Sequence, residues 1–286
     1  MALDRGIGDL AGIPNVYRYL CGMLWVAGDR DGAQAAARNS LELARETGDL
    51  GLQAWNLQAL ATIASDEAAS DEVLAEYREV VALDARSGHQ TAWPLADIAD
   101  VQRLRGDLDA ARATCAHSLA EAMTVSDPQF AVFAGFTCAL IDSDRGDAAR
   151  ARAGFEEIIR RVGNGGDTTY RDNSLMMLAQ LDMDEGRWSS ACERLQRASQ
   201  GFAAAEERTG EAGADAMLAL CAQALGDTAA RDQRKLLAEQ LGRQVEAGNV
   251  AQHPLPQRQA GEILDIPAQR RLRMGAAVNV FEQEPW

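Results

Sequence analysis

Apolar positions recur along the chain at fixed distances before a turn. Counting back from each turn, the eighth residue is mostly large: Leu20, Leu60, Ile98, Cys138, Leu178 and Leu218. The seventh is small (Cys21, Ala61, Ala99, Ala139, Ala179, Ala219) and the fifth is apolar again (Met23, Ile63, Val101, Ile141, Leu181, Cys221). The turns are Gly28-Asp29, Gly106-Asp107, Gly146-Asp147, Gly186-Arg187 and Gly226-Asp227. Gly106 follows Gly28 by 78 residues, and each later glycine follows its predecessor by 40. The long interval holds one more unit near Ala68, where Ser65-Asp66-Glu67-Ala68 replaces the glycine pair.

The pair has a physical meaning. Glycine just past a helix takes the left-handed conformation that closes it. The Asp that follows, or one two residues further on such as Asp31 or Asp109, offers its carboxylate to the amides that open the next helix. Each pair therefore predicts the tight turn of a helical hairpin. Five residues past the turn stand Ala33, Val73, Ala111, Ala151, Ala191 and Arg231. The small ones let two helices approach closely. One hairpin cannot bury such a face alone, so the hairpins are expected to stack into an all-α solenoid of about six.

The alternating large and small positions, the glycine turn and the small residue in the second helix resemble the tetratricopeptide repeat family, over roughly residues 14–246. The period of 40 exceeds the usual ~34 residues. The aromatic near the start of the first helix survives as Tyr17, with Leu57, Leu95 and Leu175 at equivalent places. The resemblance implies a right-handed α-solenoid. Repeats this long are similar to those of signalling scaffolds and of the sensor halves of bacterial transcription activators. Residues 1–13 read as a lead-in, 14–247 as the six-repeat solenoid, and 248–286 as a tail with a candidate capping helix after Asp265-Ile266-Pro267. Arg231 and Lys235 give the last second helix the polar outer face that a solenoid end needs.

A net charge of −15 over 286 residues repels nucleic acid and anionic lipid. The one basic cluster, Arg258, Arg270, Arg271 and Arg273, is diluted by Glu262 and Asp265 and reads as a solvated face. No apolar run reaches the roughly 18 residues of a membrane span, and residues 1–14 lack the pattern of a secretory signal; the expectation is a cytoplasmic protein. Cys21, Cys115, Cys138, Cys192 and Cys221 are odd in number and widely spaced, which argues for buried thiols over a disulfide framework or a zinc site.

Convergent chemistry is not visible. His89, His117 and His253 stand far apart, and His89 occupies an inter-repeat turn. Gly163-Asn164-Gly165-Gly166 joins two helices and has no lysine, so it reads as a connection. The acidic pairs Asp142/Asp144 and Asp182/Asp184 at the ends of first helices read as solvated. The expectation is a non-enzymatic protein without cofactor or metal.

The opposite face of the first helices carries the informative residues. Positions 13, 10, 6 and 3 before each turn fall within about 80° of one another on a helix. Asn15, Arg18, Trp25, Trp55, Gln58, Trp93, Arg103, Phe133, Phe136, Asn173 and Met176 occupy them. Three of the five Trp and two of the six Phe lie on this face, the residue types that anchor interfaces. By the resemblance, this face lines a concave groove. The expected function is a scaffold or adaptor taking a protein or peptide ligand there. The alternative is the sensor module of a bacterial regulator, binding a small effector or signalling peptide. Self-association through the ends of the stack is a further expectation.

Overall fold

The computed structural model describes residues 13–26, 29–65, 68–125, 128–163 and 168–250. Within these the chain forms α1 (Ile13–Val26), α2 (Arg30–Thr47), α3 (Leu50–Ser65), α4 (Asp71–Ser87), α5 (Ala92–Leu104) and α6 (Leu108–Ala122). Then come α7 (Pro128–Asp144), α8 (Ala148–Val162), α9 (Thr169–Asp184), α10 (Trp188–Ala204), α11 (Arg208–Ala224) and α12 (Thr228–Val250). The fold is an all-helical repeat solenoid with odd-numbered first helices and even-numbered second helices. It divides after Arg145 into two compact units, α1–α7 and α8–α12. Within each, helices adjacent in sequence pack side by side.

The turns form as their composition dictates. Gly106, Gly146, Gly186 and Gly226 all have φ between 74° and 84°, the left-handed region that glycine enters without cost. Asp29, Asp147 and Asp227 then accept from the amides of Gly32, Arg150 and Ala230 and so cap the second helices. Gly48 and Gly88 close α2 and α4 in the same way. At the corresponding place after α10 stands Glu206, with φ of 57°.

Inside the first unit, Ile63 of α3 packs with Ala33, Ala36 and Ala37 of α2. Val101 of α5 packs with Val73, Leu74 and Tyr77 of α4, and Ile141 of α7 with Ala111 and Cys115 of α6. In the second unit Cys221 of α11 meets Ala191 and Leu195 of α10. The fifth residue before these four turns thus rests on the second helix of the preceding hairpin. Met23 departs from this expectation and is 64% exposed. Among the described residues no hairpin precedes α1 to receive it.

Cysteine usage is a second correction. Cys115 and Cys138 form a disulfide between α6 and α7, with Cα atoms 5.6 Å apart. The sequence separation of 23 hid the pair, because only stacking brings those helices together. Cys21 and Cys221 are buried free thiols, and burial pushes both up to about 12. The chain beyond residue 250, with the candidate capping helix and the basic cluster, lies outside the described residues. So do Asp66 and Glu67 of the glycine-free turn.

Candidate functional site

The first helices of the first unit carry most of the face singled out in the sequence, and the structure treats its two ends differently. Towards α5 and α7 it is closed. The Trp93 ring stacks on Phe133 with centroids 4.4 Å apart and meets Phe130 edge-on at 5.9 Å. Trp93, Phe133 and Phe136 are all buried, because α5 and α7 pack directly on each other. Truncating Trp93 is therefore expected to cost fold stability as well as any ligand contact, by about 3 kcal/mol or more.

Arg103 is also turned inwards. Its Nε donates to Asp100 at 2.8 Å and its Nη1 to Asp144 at 2.7 Å, with only 4% of the residue exposed. Burial alone would lower the guanidinium pKa, but the two carboxylates outweigh it and raise it. Arg103 thus tethers α5 to α7 and is not held ready for a ligand.

Towards α1 and α3 the face stays more open. Asn15 is exposed, and Trp25, Trp55 and Gln58 are half-buried. Trp25 lies under the Arg30 guanidinium at 5.5 Å. Gln58 donates to Asp97 at 3.1 Å, a bond from α3 to α5. The Arg18 guanidinium lies 4.3 Å from the Tyr19 ring centroid and 5.3 Å from that of Trp55. Asn173 and Met176 belong to the second unit and are buried there, Met176 in a core cluster with Leu175, Ala179 and Leu218.

Tyr19 and Asp97 were missed in the sequence. Each stands nine residues before its turn glycine, one step outside the arc considered, and beside a selected or equivalent position. Of the acidic pairs, Asp144 and Asp184 are exposed as expected, but Asp142 and Asp182 are not solvated. Asp142 is buried and takes a 2.8 Å bond from Arg112 Nε. Asp182, 1% exposed, takes bonds from Ser190, Arg187 and Arg194 and an ion pair from Arg152. Burial raises the Asp182 pKa, yet these partners outweigh it and hold the carboxyl at about 2. Asp144 pairs with Arg103, and Asp184 accepts from Gln180 at the surface. Three of these four acids, Asp142, Asp144 and Asp182, are thus inter-helix ties.

Among the described residues no three His, Cys, Asp or Glu side chains converge as a metal-binding group. No described helix is long and apolar enough to cross a membrane.

No protein-family model matches the chain. No curated protein matches it either. Solved structures do. BtubC (BKLC) from P. vanneervenii superimposes with a TM-score of 0.62 at 18% identity, covering 79% of this chain and 94% of that one. The Rap conjugation gene regulator of plasmid pLS20, in complex with the Phr* peptide, gives 0.66 at 12% identity over 97% of this chain and 77% of its own. PilF of Pseudomonas aeruginosa gives 0.56 at 16% identity, covering 81% and 93%. The chain shares the helical-repeat fold of these structures. Proteins with different printed roles share it, so the fold leaves function to the site.

Proposed function

We propose that this chain is a non-enzymatic binding module that takes a peptide or a protein segment against the first-helix face of α1 and α3. The observation that carries the reading is the open end of that face. There half-exposed Trp55 lies against Arg18, with half-exposed Gln58 three residues further along α3 and exposed Asn15 three residues before Arg18 on α1, whereas the rings on α5 and α7 are buried against each other. A large ring with polar neighbours gives a ligand apolar area and hydrogen-bonding groups at one place. An amide or guanidinium also suits the regular donors and acceptors of an extended main chain. The peptide-bound Rap regulator of plasmid pLS20 shares the fold, which supports a peptide ligand as the class to test first.

The test is to pan a random-peptide display library on the wild type and on Trp55→Ala, with circular dichroism as the folding control. The wild type is expected to enrich related peptides, and Trp55→Ala to bind them about tenfold more weakly at unchanged helicity. Equal retention by both proteins, or no enrichment, would sink the reading.

A further inference from the structure

We propose that Arg18 is a subsite for an anionic group, a carboxylate or a phosphate, on the ligand. The proposal rests on the reading of the α1–α3 face given above. Only 8% of Arg18 is exposed. It makes no hydrogen bond and no ion pair with any described residue; its interactions there are the two ring contacts, with Tyr19 and Trp55.

A charge held this far from water is ordinarily paired, because the lost hydration is otherwise uncompensated. This protein follows that rule where it can. Arg103, 4% exposed, holds Asp100 and Asp144. Arg112, Arg152 and Arg194 each reach a buried aspartate. The chain carries 43 acidic residues against 28 basic ones, so a missing partner for Arg18 is not a shortage of acids.

The ring contacts also leave the chemistry in the right place. Aromatic rings engage the faces of a guanidinium, while its five N–H donors lie in the plane and point outwards from its edge. An arriving carboxylate or phosphate would take two of them side by side, the arrangement that planar donors favour. Tyr19, 54% exposed, and half-buried Trp55 would then offer apolar surface to the rest of the ligand. The chain is strongly acidic overall, so a buried cation with no acid on it among the described residues would set where and in which direction an acidic ligand docks.

The experiment uses the full chain, as wild type, Arg18→Gln and Arg18→Lys, each checked for equal helicity. Three display libraries are panned: free C-terminal carboxylates, the same peptides amidated, and amidated peptides carrying phosphoserine. The wild type is expected to favour terminal acids, internal Asp or Glu, or phosphoserine, and the library that enriches names the source of the anion. Arg18→Gln should weaken the selected peptides by about tenfold or more, with Arg18→Lys between the two. Peptides that bind wild type and Arg18→Gln alike would overturn the subsite while leaving the binding face intact. If no peptide enriches, the binding-face reading fails, and the subsite is read with benzoate and phenyl phosphate by tryptophan fluorescence. Saturable quenching lost in Arg18→Gln supports it, and its absence overturns it.

Discussion

Arg112 Nε donates to Asp142 Oδ1 at 2.8 Å, joining the second helix of one hairpin to the first helix of the next. Thirty residues on from Arg152, Asp182 repeats the relationship at 2.9 Å in the second unit. Near the turns the order reverses, and Arg105 and Arg145, just past first helices, reach Asp71 and Asp109 on the preceding second helices. The repeat therefore specifies its stacking in ion pairs as well as in apolar contacts. Asp142 is buried while Arg112 is about one-third exposed, which places the pair between surface and buried limits. A double-mutant cycle of Asp142→Ala and Arg112→Ala is expected to give a coupling of about 1 kcal/mol, read by urea denaturation. A coupling of zero would make the contact incidental.

Asp182 should make the fold acid-sensitive. Its carboxyl is held at about 2 in the folded chain, below its ordinary value of 3.8. The unfolded chain thus takes up the proton first. The contribution, about 2 kcal/mol, is complete above pH 4 and disappears as the pH falls towards 2. Asp182→Asn should therefore destabilise the protein at pH 6 and lose much of that difference at pH 2.5. A difference that does not change with pH would show that the cost is one of shape and not of charge.

Asp84 predicts the opposite slope. Burial pushes its carboxyl up to about 6, partly offset by the nearby His89, whose Nδ1 lies 3.8 Å away. The folded chain holds the proton longer than the unfolded chain, so stability falls as the pH rises from about 4 to about 6. Asp84 also sits in the last turn of α4, where the helix dipole disfavours a negative charge. Asp84→Asn is expected to gain about 1 kcal/mol at pH 7.5 and nothing at pH 4. Thermal melts at both values decide it; a loss at pH 7.5 would mean the ionised group is needed.

Glu206 holds a left-handed conformation that its neighbours in the repeat give to glycine. Glu206→Gly should relieve about 1 kcal/mol of backbone cost, against the smaller entropy that glycine loses on folding. The expected result is a melting temperature higher by one to a few degrees. A lower melting temperature would assign the Glu206 side chain a contact that outweighs its backbone.

The Cys115–Cys138 bond closes a loop with a sequence separation of 23 residues. Loop closure on that scale stabilises by about 3 kcal/mol. Denatured, unreduced protein should expose three titratable thiols, Cys21, Cys192 and Cys221, and reduction should lower the melting temperature. Five thiols without reductant would show the pair to be unlinked.

The sequence by itself determined the helices and their order. The glycine turns and capping aspartates are local devices: each acts within a few residues, so composition at the turn decides them. The fifth-before residues Ile63, Val101, Ile141 and Cys221 also read correctly, since a periodic apolar position needs only a neighbouring repeat. Met23 failed because it has no such neighbour among the described residues.

What faces solvent was decided by stacking. The same position in successive repeats holds half-exposed Trp55 and buried Trp93, and Trp93 is covered by the Phe133 ring of the next first helix. The same applies to charge: Arg18 and Arg103 look alike in sequence, yet one lies against two rings and the other holds two aspartates. The Arg112–Asp142 and Arg152–Asp182 pairs, with their common spacing, were legible in principle. The Cys115–Cys138 bond was not, because it depends on the distance between two packed helices, which the tertiary structure alone sets.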